Sequence, residues 1–361
     1  MIKLIIAMCL YKLKFIIFFF FINTISSHSQ TNQNFDDSKL EKTLFESNDL
    51  LSIKLSYSRK QLKKETNDST FLDSFLAHKS ADSKWDTLRV KIRARGNFRR
   101  AKCHFTPVKL KIKKSDAKKT IFKGQKQLKM VLPCVNESSK DDNVIKEYII
   151  YKMFEVVSPY YFSSRLLDIE YSEIKKRRTQ VHNFKGLMIE DNSKVAKRLD
   201  AKLGKRKYYP QAFDELGAVR HAMFQFMIGN TDFSTVYQHN TKVLFVNKRF
   251  FTIPYDFDMA GFVNTSYAVV SQIGNQKLPI DKVIDRYYRG YKHDYKFFQQ
   301  VREEFIDNKE DLLQIIDDNK LNFIDQKSYK VARVYILDFF KLIGNESTFK
   351  KRTYLAALEL N

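Results

Sequence analysis

The 361-residue sequence predicts an α+β protein in two lobes, a strand-rich part followed by a mostly helical one. Three observations carry that expectation. Short segments up to residue 190 alternate apolar and polar side chains with a period of two, as half-buried strands do. From residue 211 onward the apolar residues recur at helical spacing. The chain also has the apolar mass that a core needs, with 43% hydrophobic residues, 31 Phe and 19 Tyr. That mass excludes a disordered basic tail, and ten Gly with six Pro exclude collagen-like and linker-rich chains. No self-similar segment marks a solenoid or propeller.

Residues 1–30 stand apart. Lys3, Lys12 and Lys14 precede an apolar run over residues 15–22, and small polar residues follow at 26–30. A basic start, an apolar stretch too short to span as a mature helix, and small residues near a cut at Ser29 read as a secretory signal peptide. An uncleaved anchor is the rival reading, because residues 5–10 lengthen the apolar region. The expectation is a secreted, periplasmic or cell-surface protein, at the membrane only if this segment is retained. Removing three Lys and no acid lowers the net charge from +23 to +20, so the basic character belongs to the mature chain. Two cysteines remain, Cys103 and Cys134, which read equally as one disulfide in an oxidising compartment or as two separate buried thiols.

The first lobe is assigned to residues 31–190. Its start, 31–85, is polar except for a strand at 51–56 (LSIKLS). Segments 88–94 (LRVKIRA) and 108–113 (VKLKIK) alternate strictly, with Leu88, Val90, Ile92 and Val108, Leu110, Ile112 on one face and basic residues on the other. Between them lies the Arg-rich turn 95–100 (RGNFRR). A helix is expected over 143–157, where Val144, Tyr148, Tyr151 and Phe154 share a face and Ser158-Pro159 stops it. Strands at 165–171 and 183–190 end the lobe. The second lobe, 191–361, begins with a helix over 211–228, followed by the loop GNTDFSTVYQHN (229–240), strands at 242–246 and 250–253, and helices through 280–358 broken near Asn308, Asn319 and Gly344. A ligand is expected in the cleft between the lobes.

The net charge points to an anionic partner, but no zinc-finger or RNA-recognition signature is present, so no specific nucleic acid is expected. The densest chemical signal lies in 229–261, where Asp232 and Asn240 sit in a loop after a helix and Asp256 and Asp258 follow a hairpin. Phosphoryl transfer needs a carboxylate near the attacking hydroxyl and oxygen ligands that hold Mg²⁺ on the phosphates. Asp and Asn also cap loops, but Pro254, Tyr255, Phe257 and Met259 surround the later pair with apolar groups, where carboxylates are rare unless paired or metal-bound. Lys109 and Lys111, read alone, belong to a solvated strand face, and Glu147 to a helix surface.

These residues resemble the CotH-type atypical protein kinases, the spore-coat CotH kinase family. The likeness lies in the order of Arg95-Gly96-Asn97, the basic strand with Lys109 and Lys111, the helix from Asn143, Gly229-Asn230-x-Asp232, His239-Asn240, and Ile253-Pro254-Tyr255-Asp256-Phe257-Asp258, over residues 88–262. The resemblance implies a two-lobed, protein-kinase-like fold and an exported enzyme that moves the γ-phosphoryl group of ATP to a Ser or Thr hydroxyl of a protein substrate, with Mg²⁺ or Mn²⁺. Asp232 would orient or deprotonate the acceptor, while Asn240 and Asp256 would hold metal, with Asp258 as the substitute. Lys109 or Lys111 would reach the α/β-phosphates and pair with Glu147. Arg95 and Arg99 would clasp phosphate. Glu190 falls where the family carries an acid at the lobe junction. An acidic substrate would dock on a basic surface. The sequence departs from ordinary protein kinases in lacking both a GxGxxG loop and an HRD triplet before Asp232. Two other readings stay open: a catalytically silent CotH-like binding protein, and an exported basic protein that binds polyanions.

Overall fold

The structure, a computed structural model, describes residues 43–80, 82–137, 141–271 and 277–360, apart from the side chains of Asn97 and Asp141. The expected signal peptide lies outside the described residues. In chain order the first elements are β1 (Leu51–Tyr57), α1 (Arg59–Glu65), β2 (Leu72–Lys79), β3 (Trp85–Ala94), α2 (Asn97–Lys102), β4 (Val108–Ile112) and α3 (Lys114–Ala117). Next come β5 (Gln127–Val131), α4 (Asp141–Val157), β6 (Ser164–Ile174), β7 (Thr179–Glu190), α5 (Asn192–Arg198), β8 (Lys202–Leu203) and α6 (Glu215–Met227). The chain finishes with β9 (Thr241–Val246), β10 (Arg249–Pro254), α7 (Tyr295–Asp307), α8 (Lys309–Asp318), α9 (Gln326–Gly344) and α10 (Glu346–Arg352).

β1 to β7 form a closed barrel with neighbour order β1-β2-β3-β4-β5-β7-β6. Every pairing is antiparallel except β1 with β6, which runs parallel and closes the ring with Ile53 opposite Ile169. Closure removes the free edges that a seven-stranded sheet would otherwise expose. The alternation seen in the sequence sets the inside: Leu88, Val90 and Ile92 of β3 and Val108, Leu110 and Ile112 of β4 are buried, joined by Leu55, Leu76, Leu128, Met130 and Met188. β8, β9 and β10 make a separate three-stranded antiparallel sheet in the order β10-β9-β8.

The α+β content agrees with expectation, but the two-lobed, kinase-like fold does not. A closed mixed barrel, a separate small sheet and helices take its place, and Glu41–Asn361 forms one compact unit. The reason lies in packing. Val131, Leu166, Leu187 and Ile189, from barrel strands, share an apolar cluster with α4, α6, α7, α8 and α9, a cluster that extends to Phe349. The end of β7 is accordingly buried on both faces, from Leu187 to Glu190. Residues of β5, β6 and β7 thus share a core with the helices, beside the barrel's own interior cluster.

Smaller differences follow from the same packing. The polar stretch after residue 56 forms α1 and β2, which complete the ring around Leu62 and Leu76. Residues 280–294, expected to be helical, contain no helix. Arg286 donates there to the Met227 carbonyl at 3.0 Å and to the Tyr335 carbonyl, pinning an irregular path over α6 and α9. The expected helix at 211–228 begins at Glu215, where the Asp214 side chain caps it by accepting from the Gly217 N–H at 2.8 Å. The expected breaks at Asn308, Asn319 and Gly344 coincide with the ends of α7, α8 and α9.

Candidate functional site

The Arg-rich segment after β3 is a short helix, α2, and not a turn. Gly96 precedes it with φ +76°, a left-handed conformation open to glycine at little cost, and so lets the chain leave β3 and start a helix at once. The helix directs Arg99 inward, where the side chain is 8% exposed. Its Nε donates to Asp258 Oδ2 at 2.8 Å, and Nη2 donates to Glu147 Oε2 at 3.0 Å and lies 3.3 Å from Asp256 Oδ1. The Tyr267 hydroxyl also donates to Asp258 Oδ2, at 3.1 Å. One guanidinium therefore holds three carboxylates, brought from α4 and from the segment after β10.

The charges in this cluster do not balance. Burial raises the Glu147 carboxyl to about 7, Arg99 opposing the rise and Asp256 and Asp258 adding to it. Its Oε1 is buried with no hydrogen-bond donor among the described residues. Asp256 is likewise raised by burial, with Arg99 opposing. Asp258 is held below its ordinary value: burial opposes this, but the Arg99 charge and the hydrogen bonds from Arg99 and Tyr267 outweigh it.

The loop after α6 supplies the opposite wall. Asn240 Nδ2 donates to the Asp232 carbonyl at 2.8 Å and to Asp232 Oδ2 at 2.9 Å. Asp232 Oδ1 lies 3.2 Å from His239 Nε2, a hydrogen bond that raises the His239 pKa against burial. The Tyr255 N–H donates to the Asn240 carbonyl at 3.0 Å, tying this loop to the end of β10. Asn240 and Asp256 both adopt left-handed backbone, with φ +46° and +64°, a strained conformation for residues with a Cβ that recurs at functional sites. Between the walls is a cavity of about 370 Å³ lined by Arg95, Arg99, Asp232, Asn240, Asp256 and Asp258, among others. Arg95 makes no ion pair among the described residues.

The structure thus brings together Arg95, Asp232, Asn240, Asp256 and Asp258, with Glu147 beneath them. Glu147 pairs with Arg99, not with the expected Lys109 or Lys111, and Arg99, expected to clasp phosphate, engages three carboxylates while lining the cavity. Lys109 Nζ lies 3.7 Å from Asp191 Oδ2, and Lys111 lies over the Phe71 ring at 5.8 Å. Glu190 is buried and bound to Arg198 at 2.9 Å and to the Ser163 N–H at 3.2 Å; it does not line the cavity. The residue that the sequence reading passed over is Lys129. It stands opposite Lys109 in the β4–β5 ladder, is 8% exposed, donates to Asn192 Oδ1, and lies over the Phe162 and Tyr255 rings at 4.3 and 5.5 Å. Burial lowers its pKa to about 7, helped by Arg95, Lys242 and Lys109 and opposed by Asp191. A lysine flanked by buried Leu128, Met130 and Val131 was the available signal.

Among the described residues, no three His, Cys, Asp or Glu side chains are placed to hold a metal ion. The available oxygens are Asn240 Oδ1, the second carboxylate oxygen of Asp256 and Asp258 Oδ1, since Arg99 and Tyr267 both engage Asp258 Oδ2. Mg²⁺ commonly takes one or two protein oxygens and completes its shell with water and substrate phosphates. This donor set, beside an excess of carboxylates, fits a cation brought with a phosphate ligand better than a dedicated cage. No protein-family model matches the chain, and no curated protein matches it. The likeness to the CotH-type kinases rests on the motifs alone.

Proposed function

We propose that this chain transfers the γ-phosphoryl group of ATP to a Ser or Thr hydroxyl of an exported protein. The observation that carries the reading is the convergence of Asp232, Asn240 and Asp256 with Arg95, which makes no ion pair among the described residues, around one cavity. Asp232 accepts the hydroxyl proton as the acceptor oxygen bonds to the γ-phosphorus and the bond to the β-phosphate bridging oxygen breaks, releasing ADP. Asn240 orients Asp232 through two hydrogen bonds. Arg95 takes phosphate oxygens in its planar fork. Asn240 and Asp256 are the residues that would hold Mg²⁺ or Mn²⁺, which supplies charge neutralisation on the phosphates when bound. The disulfide between Cys103 and Cys134 supports export to an oxidising compartment.

The test is incorporation of labelled phosphate from ATP by residues 31–361 with Mg²⁺ or Mn²⁺, beside Asp232→Ala and Asp256→Asn. Metal-dependent incorporation that both variants lose by at least about 100-fold supports the reading. A folded protein that incorporates nothing overturns it. One observation favours a second reading, a catalytically silent binding protein: Arg99 already occupies the centre of the Glu147, Asp256 and Asp258 cluster. Nucleotide binding without turnover, unchanged in Asp232→Ala, would support that alternative.

A further inference from the structure

A second cavity, of about 660 Å³, shares no lining residue with the first. It lies among α3, the turn leading into β5, and α5, and six lysines line it. Lys114 opens α3 and Lys118 caps it, Lys123 and Lys126 bracket the turn, and Lys194 and Lys197 sit on α5. Each pair is three or four residues apart, and like charges at these spacings on a helix repel. None of the six makes an ion pair among the described residues. Among the described residues Asp191 is the only carboxylate in the lining, and it is committed: its Oδ1 accepts from the Ser193 N–H and hydroxyl at 3.0 and 2.7 Å, and its Oδ2 faces Lys109.

Five of the lysines are exposed and Lys194 is half-buried, but the wall that carries them is concave, which focuses their field on one volume. Two local details shape the cavity. Gly124, with φ +81°, has no Cβ, and one built there would come within 3.3 Å of Lys194 Nζ, so the glycine lets that ammonium lie against the turn. Gln125 is 5% exposed, and its Oε1 is buried without a hydrogen-bond donor among the described residues. The six lysines call for a multiply anionic ligand. The volume falls within the range of about 300–1,000 Å³ usual for small-molecule sites.

We propose that this cavity binds a small molecule carrying two or more phosphate groups, held by the lysines as point charges. The inference is independent of phosphoryl transfer at Asp232. Inorganic tripolyphosphate is the probe, titrated calorimetrically into the protein without divalent cations, with orthophosphate in parallel. Tripolyphosphate binds and weakens as salt is added. Lys123→Glu with Lys194→Glu weakens it by about 30-fold or more, and the milder Lys123→Gln with Lys194→Gln by about 10-fold. Arg95→Ala, in the other cavity, leaves the affinity within about twofold. Near-unchanged binding in the glutamine pair overturns the proposal, as does loss of binding in Arg95→Ala. Orthophosphate binding as tightly as tripolyphosphate also overturns it, because a single phosphate would then suffice.

Discussion

Arg99 shows how one side chain can set the state of a whole site. Its guanidinium is the nearest counter-charge to three carboxylates, two of them almost fully buried. Arg99→Met should destabilise the protein by about 3–5 kcal/mol, since it leaves those carboxylates buried without a cation. The sign of the pH dependence follows. Without Arg99 the folded carboxyls bind protons more readily than the unfolded ones, so the variant regains stability as pH falls and loses it as pH rises. Urea unfolding of wild type and variant at several pH values checks this, and a pH-independent gap would contradict it. Arg99→Lys keeps the charge without the fork and should fall between the two.

Lys129 works in the opposite direction. Its folded pKa is lowered to about 7 from an ordinary value of 10.5, so between these pH values the unfolded chain holds more protons than the folded one. Stability from this group therefore rises with pH, with a slope approaching about 1.4 kcal/mol per pH unit. Lys129→Met removes the slope. The stability of wild type relative to Lys129→Met should climb from neutral to alkaline pH, and a flat difference would show that the lysine titrates normally.

At the scale of elements, α2 is the piece that places Arg99, and it is short. Its C-terminal cap is Cys103, bonded to Cys134 just beyond β5, and the His104 N–H donates to the Cys134 carbonyl at 2.6 Å. The disulfide thus fastens the end of α2 to the barrel. Breaking it with Cys103→Ser and Cys134→Ser should cost about 3.7 kcal/mol for the loop closed by a separation of 31 residues. Hydrogen exchange at the Arg100 amide, which donates to the Gly96 carbonyl at 3.1 Å, should accelerate more than exchange in α6. Equal acceleration in both helices would indicate only a global effect.

Elements with local signatures were legible in the sequence. β3 and β4 carry the alternation that their burial requires, α4 and the β9–β10 hairpin were legible from their apolar content and stops although their burial is not one-sided, and Asp232, Asn240 and Asp256 lie close together along the chain. What escaped depends on distant pairing. Nothing near Ile53 announces Ile169 as its parallel partner, and without that pairing the strands read as an open lobe. Arg99 reads as a phosphate ligand and Lys129 as one more strand cation until α4 and the segment after β10 cover the first and Phe162 and Tyr255 the second. Their burial is a product of the tertiary fold, which composition does not reveal.

At the scale of the whole molecule, the shared core makes a definite statement about unfolding. The barrel interior forms a cluster of its own, and if nothing joined it to the helices the two transitions could separate. Here Leu166, Leu187 and Ile189 of the barrel pack in the same cluster as Phe224 of α6 and Phe339 of α9, so melting the helices strips the outer face of β6 and β7. The chain offers a clean pair of probes. Its single tryptophan, Trp85, is on barrel strand β3 with Lys54 Nζ 4.7 Å from the ring, while most helical signal comes from α4 and from elements after residue 190. Tryptophan fluorescence and far-UV circular dichroism should therefore report superimposable urea transitions with one midpoint. A fluorescence transition that outlasts the loss of helical signal would mean that the barrel survives alone, and that the faces of β6 and β7 now buried by helices can be tolerated in water.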